Sequence, residues 1–303
     1  MMKTLTVFTP TYNRAYCLGQ CYESLVKQTN QDFIWLIIDD GSVDNTAEVV
    51  KNWIDEDKIA IKYHYQANQG MHGAHNTAYD LIHTELNVCI DSDDFMPPDA
   101  VDNILLFWTT SEKNAKIAGL IGLDAYKDGK IIGREFPNHL LSATLEDLYH
   151  IHKIHGDKKI VYRTEVVKQH SRYPIFEDER FVPLGTLYLL IDKDYSLLCL
   201  NKVLCIVEYM ADGSSRNIIK QYKRHPKGFR YARIVNMKKS RFFKVRLKNA
   251  IHYVSHSLFL KDWRMLSKSP KPLMTLLVFP LGLLLYLYVN YKARETSPIA
   301  KKE

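Results

Sequence analysis

The sequence lacks the features that mark several protein classes. Its 303 residues include only five cysteines and no C-x-x-C pair, which excludes a disulfide framework or a zinc site and favours reduced thiols in the cytosol. No G-x-G-x-x-G run follows a strand-like segment, and no glycine-rich loop precedes a lysine or arginine. A dinucleotide-binding domain and a nucleotidyltransferase are therefore disfavoured. The first eight residues form too short an apolar run for a signal peptide, so we expect none.

Acidic residues are scarce in one part of the chain. Residues 216–303 contain 21 Lys and Arg against three Asp and Glu, whereas residues 1–215 contain 20 against 31. The net charges of the two parts are therefore +18 and −11. An acidic body with a basic tail is typical of proteins that bind an anionic surface, which can be a membrane or a nucleic acid.

The first third of the chain alternates short apolar runs with segments of helical periodicity. The apolar runs at residues 5–8, 33–38, 59–65 and 86–90 predict four strands, each followed by a helix or a loop and a helix. Four such units in about 110 residues favour an α/β fold with a doubly wound, mostly parallel sheet.

Polar turns follow three of these predicted strands. The last of them contains Asp91, Asp93 and Asp94, and the carboxyl ends of parallel strands meet at one edge of a sheet. Asp91 and Asp93 are two residues apart, so in an extended segment their side chains point the same way and repel unless a cation lies between them. Mg²⁺ and Mn²⁺ accept such carboxylates together with substrate phosphates. A solvated acidic turn before a helix is the alternative for this segment alone.

Four motifs occur in a fixed order along the chain. They are Pro10-Thr11-Tyr12-Asn13-Arg14, Asp39-Asp40-Gly41-Ser42, Asn68-Gln69-Gly70 with Ala74 and Asn76, and Asp91-Ser92-Asp93-Asp94. Their order and spacing over residues 3–110 resemble those of family 2 glycosyltransferases, which are nucleotide-sugar enzymes with a GT-A type fold. A looser likeness to some bacterial members continues at residues 181–183 and 207–213. The resemblance implies a nucleotide-sugar-binding half at 1–110 and an acceptor half at 111–215.

The resemblance also implies roles for single residues. Tyr12 would stack on the nucleotide base, Asp40 would accept a hydrogen bond from a uracil-like edge, and Asp93 would bind Mn²⁺ or Mg²⁺. Asp91 would face the ribose or share the metal. The nucleotide-binding set implied in this way is Pro10, Thr11, Tyr12, Arg14, Asp39, Asp40, Asn68, Gly70, Asp91 and Ser92.

Family members transfer with inversion, so the resemblance requires a base that takes the proton of the acceptor hydroxyl. Leu184 occupies the position where the acid is expected. We expect the base at Glu179, or else at Asp178; an error of register and impaired catalysis also stay open, as does a solvated acidic loop. Lys159, earlier in the acceptor half, is predicted either to contact a phosphate or to be a solvated charge at a strand edge.

The tail at 216–303 interleaves basic and aromatic residues, which predicts basic amphipathic helices with a break near Pro226. Residues 273–291 then carry no charge, and basic residues flank them on both sides. This length is near the roughly 20 residues of a membrane-spanning helix. Because Pro280 and Gly282 interrupt the segment, an in-plane or re-entrant element is favoured over a single span or a buried core helix.

These observations together predict an inverting hexosyl- or N-acetylhexosaminyltransferase. The donor would be a nucleotide-diphosphate sugar, with UDP implied by the resemblance, and the acceptor a cell-envelope or lipid-linked glycan. The basic tail places such an enzyme at the cytosolic face of the membrane, as a peripheral or monotopic protein on an anionic lipid surface. The alternative is an inactive nucleotide-sugar-binding or scaffold subunit. A nucleic-acid partner is not expected, because the body is acidic and the tail contains a long uncharged segment.

Overall fold

The computed structural model describes residues 3–170, 172–208 and 218–295. Its strands are β1 Leu5–Thr11, β2 Phe33–Asp39, β3 Ile61–Tyr65, β4 Leu86–Cys89, β5 Ile117–Ala125, β6 Ser142–Ala143, β7 Lys158–Arg163 and β8 Ser196–Ile206. Its helices are α1 Ala15–Val26, α2 Thr46–Glu56, α3 Met71–Leu81, α4 Ala100–Thr110, α5 Leu145–His150, α6 Thr164–Gln169, α7 Gly185–Asp192, α8 Ile218–Arg224, α9 Pro226–Lys239, α10 Phe243–Phe259, α11 Met265–Lys268, α12 Pro272–Leu277 and α13 Phe279–Glu295. The four predicted strands are confirmed as β1 to β4.

The eight strands form one sheet in the order β3-β2-β1-β4-β7-β5-β8-β6. The pairs β1–β2, β2–β3, β1–β4 and β5–β8 are parallel, whereas β7 runs antiparallel to both β4 and β5, and β6 antiparallel to β8. The predicted α/β fold with a mostly parallel sheet is confirmed. The parallel half, β3-β2-β1-β4, is the part that the alternating pattern predicted.

The centre of the sheet is buried on both faces: β1 is buried along its whole length, and β2 is a nearly continuous apolar run. Trp35 of β2 is fully buried, and its indole N–H donates to the Thr9 hydroxyl of β1 at 2.9 Å. Its ring packs in a stack with Tyr22 of α1 and Trp53 of α2, with Tyr22 and Trp53 centroids 4.4 Å apart. These aromatic contacts hold two helices against the sheet.

Helix α3 begins at Met71, directly after the Asn68-Gln69-Gly70 motif. Gly70 precedes it with φ 82°, a conformation that glycine adopts without a steric cost. The Gly70 N–H donates to the Asp40 carboxylate at 2.7 Å, so a buried acid fixes the start of the helix. The start of α3 therefore depends on a contact with the end of β2, 30 residues earlier in the sequence.

The chain divides into two compact units. The first comprises Met1–Tyr173 with Leu190–Met210 and contains all eight strands, and the second comprises Pro174–Leu189 with Ala211–Glu303. The predicted boundary between 215 and 216 lies outside the described residues, and the division into 1–215 and 216–303 stays a prediction. The second unit has its own apolar core, which includes Tyr253 and Val254 of α10.

Both prolines noted in the tail lie in the first turn of a helix of the second unit. Pro226 is the first residue of α9, so the predicted break near it is confirmed. The uncharged segment forms α12 and α13, and Pro280 is the second residue of α13, where no intrahelical N–H is needed. Within the described ranges, none of the helices combines the length and the hydropathy that crossing a membrane requires.

Candidate functional site

The carboxyl ends of the parallel strands lie side by side. Thr11 pairs with Asp39 across β1 and β2, and Asp39 pairs with Tyr65 across β2 and β3. On the other side of β1, Phe8 pairs with Cys89 of β4. The polar turns after β1, β2 and β4 therefore meet at one edge of the sheet, as the sequence predicts.

The turns after β1 and β2 are joined by reciprocal hydrogen bonds. The Asn13 N–H donates to the Ser42 hydroxyl, and the Val43 N–H donates to the Asn13 side-chain oxygen, both at 2.8 Å. Asn13 has φ 52°, which an asparagine tolerates better than most residues. This junction holds Tyr12, whose side chain is 49% exposed, at the surface of the strand edge. Its aromatic face is available to a planar ligand such as a nucleobase.

Asp39 is buried at the end of β2, and its carboxylate accepts two hydrogen bonds. The Ser42 N–H donates to one oxygen at 2.8 Å, and the Tyr63 hydroxyl of β3 donates to the other at 2.6 Å. Burial and this hydrogen bond raise the pKa of Tyr63, so the phenol stays a donor at neutral pH. Asp39 therefore ties its own turn to the neighbouring strand.

Asp40 is buried beside it and holds a different loop. Its carboxylate accepts hydrogen bonds from the Gln66 side chain at 2.7 Å and from the backbone N–H groups of Gln69 at 2.9 Å and Gly70 at 2.7 Å. Gly41, with φ 90°, lies so close to this loop that a Cβ would be 2.9 Å from the Asn68 nitrogen. Asp40 therefore positions the loop that carries Asn68 and Gly70. Its predicted contact with a nucleobase stays a prediction.

The acidic motif after β4 alternates in exposure. Asp91 and Asp93 are partly exposed, whereas Ser92 and Asp94 are buried. The Asp94 N–H donates to the Asp91 carbonyl at 3.0 Å and closes a tight turn. The Gln20 side chain of α1 donates to the Asp93 carbonyl and fixes the turn from a second side. The two carboxylates proposed as metal ligands are thus the two that solvent reaches.

Asp94 anchors this turn inside the protein. One carboxylate oxygen accepts the Glu208 N–H at 3.1 Å, and the other lies 4.0 Å from the Lys159 ammonium. Burial raises the pKa of Asp94 to about 7, although the charge of Lys159 opposes this rise. Asp94 therefore connects the acidic motif to the strands behind it.

Lys159 lies on β7, between β4 and β5, and its side chain is almost completely buried. The expectation of a solvated charge at a strand edge is wrong, because β7 is an inner strand of the sheet. Burial opposes the charge of Lys159, but nearby acidic groups, namely Cys205 and the carboxylates of Asp124, Asp94 and Asp91, outweigh it and raise its pKa. Asp124 of β5 is itself buried, which raises its pKa to about 6. The sequence analysis missed Asp124 as a member of this cluster.

The two candidate bases lie in the second unit and have different surroundings. Glu179 is only 3% exposed, and its two carboxylate oxygens accept the backbone N–H groups of Lys227 and Gly228, each at 2.8 Å. These donors belong to the first turn of α9, so Glu179 caps that helix. Asp178 is exposed and forms an ion pair with the Lys227 ammonium at 2.6 Å, which lowers the pKa of Asp178.

The acidic motif offers only a small number of protein ligands to a divalent ion. No group of three His, Cys, Asp or Glu side chains placed to hold a metal ion occurs within residues 3–170, 172–208 and 218–295. Asp91 and Asp93 nevertheless fit a site of the kind in which one or two carboxylates bind Mg²⁺ or Mn²⁺ and phosphate oxygens and water complete the shell. Their partial exposure leaves them accessible to such a ligand.

The sheet, with its polar turns and acidic motif at one edge, defines a GT-A type fold. Among solved structures, Staphylococcus aureus TarS in complex with UDP-GlcNAc matches with a TM-score of 0.61 and 16% identity, over 97% of this chain and 92% of that one. A Pyrobaculum calidifontis mannosyltransferase in complex with GDP-Man and Mn²⁺ matches with a TM-score of 0.56 and 17% identity, over 97% and 84%. At such identities the likeness concerns the fold alone.

Sequence comparison identifies the family. Residues 6–154 match the family described as Glycosyl transferase family 2, and through this region the chain belongs to that family. An uncharacterised glycosyltransferase of Nostoc sp. is 32% identical over 108 residues, which are 36% of this chain and 34% of the relative. The glycosyltransferase GlyG of Streptococcus pneumoniae is 28% identical over 117 residues, or 39% and 38%. The chain thus spans little more than a third of the length of these relatives.

Proposed function

We propose that this protein is an inverting glycosyltransferase that moves a hexosyl or N-acetylhexosaminyl group from a UDP-sugar to a cell-envelope or lipid-linked glycan. The observation that carries the proposal is the strand register, which brings Tyr12, Asp40 and the acidic motif to one edge of the sheet. A base-stacking ring and a pair of exposed carboxylates at such an edge suit a nucleoside diphosphate. The complex of TarS with UDP-GlcNAc supports UDP as the nucleotide.

The donor would lie along the edge of the first unit. Tyr12 would stack on the base, Pro10 and Thr11 end β1 beside it, and Arg14 lies in the turn that follows. The Asn68–Gly70 loop, held by Asp40, forms the opposite wall. These elements are fixed by hydrogen bonds before the donor arrives, which reduces the entropic cost of binding.

Asp93 and Asp91 would hold Mn²⁺ or Mg²⁺ against the diphosphate, and the bound ion would neutralise the charge of the leaving group. Both residues are partly exposed, whereas Asp94 takes the buried position in the turn. Lys159 compensates the negative charge behind the motif without entering the exposed site. The motif can therefore keep its geometry whether or not a ligand is bound.

For the base, the surroundings favour Asp178 over Glu179. Both oxygens of Glu179 already accept backbone hydrogen bonds from α9, and moving it would leave two buried donors unsatisfied. Asp178 is exposed, so its carboxylate can meet an acceptor hydroxyl without breaking a buried hydrogen bond, but the ion pair with Lys227 lowers its pKa and weakens it as a base, whereas burial raises the pKa of Glu179. Asp178 would take the proton of the acceptor hydroxyl as the sugar leaves the diphosphate.

The test is a screen of UDP, GDP and dTDP sugars for Mn²⁺-dependent turnover, with hydrolysis as the readout in the absence of acceptor. Asp93→Asn should abolish turnover, whereas Asp55→Asn, at an exposed position on α2, should not change it. If a sugar nucleotide binds but none is turned over, the result would instead support the inactive scaffold subunit. Leu184, at the position where the acid is expected, favours that alternative. No binding of any sugar nucleotide would contradict both proposals.

A further inference from the structure

From Leu273 to Val289, helices α12 and α13 carry no charged residue and are apolar on all sides. One side is buried against α10, and its buried positions recur at steps of three or four residues through Thr275, Val278 and Gly282, with Val289 further along. A helix that is apolar on all sides is normally covered on all sides. The described residues of the second unit cover only one side of this pair.

The inner side makes a close helix–helix contact. Gly282 lies so near α10 that a Cβ would be 2.4 Å from the Val254 Cβ. Phe259 and Tyr286 pack with ring centroids 4.7 Å apart. Because these contacts anchor the pair to α10, its outer side has a fixed orientation within the unit.

The outer side carries a stripe of large apolar residues in solvent. Leu277 is 80% exposed and Leu284 is 62% exposed. The stripe, named here the leucine face, consists of Leu273, Leu276, Leu277, Leu281, Leu284, Leu287, Tyr288 and Tyr291, each at least half exposed. Single exposed leucines are common, but a continuous stripe over two helices marks a surface that something covers.

An exposed aromatic residue and an exposed basic residue lie shortly before the leucine face in the sequence. Trp263, in the turn before α11, is 79% exposed, and Lys271 is exposed immediately before α12. Tryptophan and tyrosine are enriched where a protein meets the lipid headgroups, and lysines are attracted to anionic lipids. Residues 218–295 contain 18 Lys and Arg against two Asp and Glu.

We propose that the leucine face docks on an anionic membrane, with α12 and α13 lying in the plane of one leaflet. A second copy of the chain is the other occupant to consider, but two copies of residues 218–295, each with a net charge of +16, would repel each other. Anionic headgroups complement that charge and accommodate the exposed tryptophan. The proposal specifies which surface meets the anionic lipid predicted from the sequence, and it does not depend on donor binding or on turnover.

The experiment is flotation of the full chain with vesicles of phosphatidylcholine alone or of phosphatidylcholine with phosphatidylglycerol. We expect binding to the anionic vesicles only, weakened at high salt. The double variant Leu277→Glu with Leu284→Glu should bind about tenfold less, a factor that corresponds to about 1.4 kcal/mol. The matched control, Leu106→Glu with Leu141→Glu, changes two exposed leucines of the first unit and should bind as the wild type does.

Two further readouts make the outcome decisive. Trp263 is the most exposed tryptophan described, so addition of anionic vesicles should shift the emission of the wild type to the blue, and Trp263→Phe should remove most of that shift. Equal vesicle binding by the leucine-face variant and the control would overturn the proposal. So would a dimer in solution that this variant converts to a monomer. UDP-sugar hydrolysis should be unchanged in the variant, so a failure here is distinguishable from a failure of the transferase proposal.

Discussion

Substitution at the two neighbouring acids, Glu179 and Asp178, should separate stability from catalysis. In Glu179→Ala, the N–H groups of Lys227 and Gly228 lose their acceptors at the start of α9. An unsatisfied buried donor costs about 1–3 kcal/mol, so the loss for two donors, partly relieved by water, should be roughly 2–4 kcal/mol. Glu179→Gln keeps one acceptor oxygen and should therefore cost less than Glu179→Ala.

Asp178→Asn should show the opposite pattern. Its side chain is exposed, so the free energy of unfolding should hardly change, but loss of the base should lower kcat by about 10²–10⁴-fold. Urea unfolding followed by circular dichroism measures the first quantity, and turnover of the donor and acceptor pair found in the screen measures the second. Full activity of Asp178→Asn, together with inactivity of a stably folded Glu179→Gln, would show that Glu179 is the base and refute the argument from capping.

Three further predictions concern the first unit. Tyr12→Ala should weaken UDP binding in calorimetry by about 1–3 kcal/mol because the stacking face is lost, and Tyr12→Phe should retain it. Lys159→Met should lower the free energy of unfolding by about 3 kcal/mol, because buried carboxylates lose their counter-charge. The control Lys62→Met, at an exposed position on β3, should have little effect, and equal losses in the two variants would contradict this prediction. Asp124 has a folded pKa of about 6 against an ordinary value of 3.8, so the folded state binds more protons and stability should fall as the pH rises from about 4 to 6. Asp124→Asn should reduce that fall, by up to about 3 kcal/mol at pH 7.5, and an unchanged pH profile would show that the carboxylate does not titrate there.

The local pattern of the chain was sufficient to predict the parallel half of the sheet and the convergence of its polar turns. Strands β1 to β4 follow one another with short connections, and their apolar runs and turns are read from neighbouring residues. This order of strands and turns also predicts that Asp39 ends β2 and that the acidic motif at Asp91 follows β4. Parallel pairing then brings them together without further information.

The remaining features depend on contacts between distant parts of the sequence. Strand β7 enters antiparallel between β4 and β5, and this non-local pairing buries Lys159 beside acids that precede it by 35 residues or more. Glu179 caps a helix that begins 47 residues later at Pro226. The sequence analysis predicts Glu179 as the base or as part of a solvated acidic loop, and neither prediction includes a helix-capping role. Periodicity contains no signal for either arrangement.

The central claim is that the turns after β1, β2 and β4 form one site for a nucleoside diphosphate and a divalent ion. The most direct measurement is the affinity for UDP by titration calorimetry in Mn²⁺ and in EDTA. We predict that Mn²⁺ strengthens UDP binding at least tenfold, or about 1.4 kcal/mol, in the wild type and in Asp55→Asn, and that Asp91→Asn with Asp93→Asn removes this gain. Equal UDP affinity with and without Mn²⁺, or a gain that survives the double substitution, would contradict the claim.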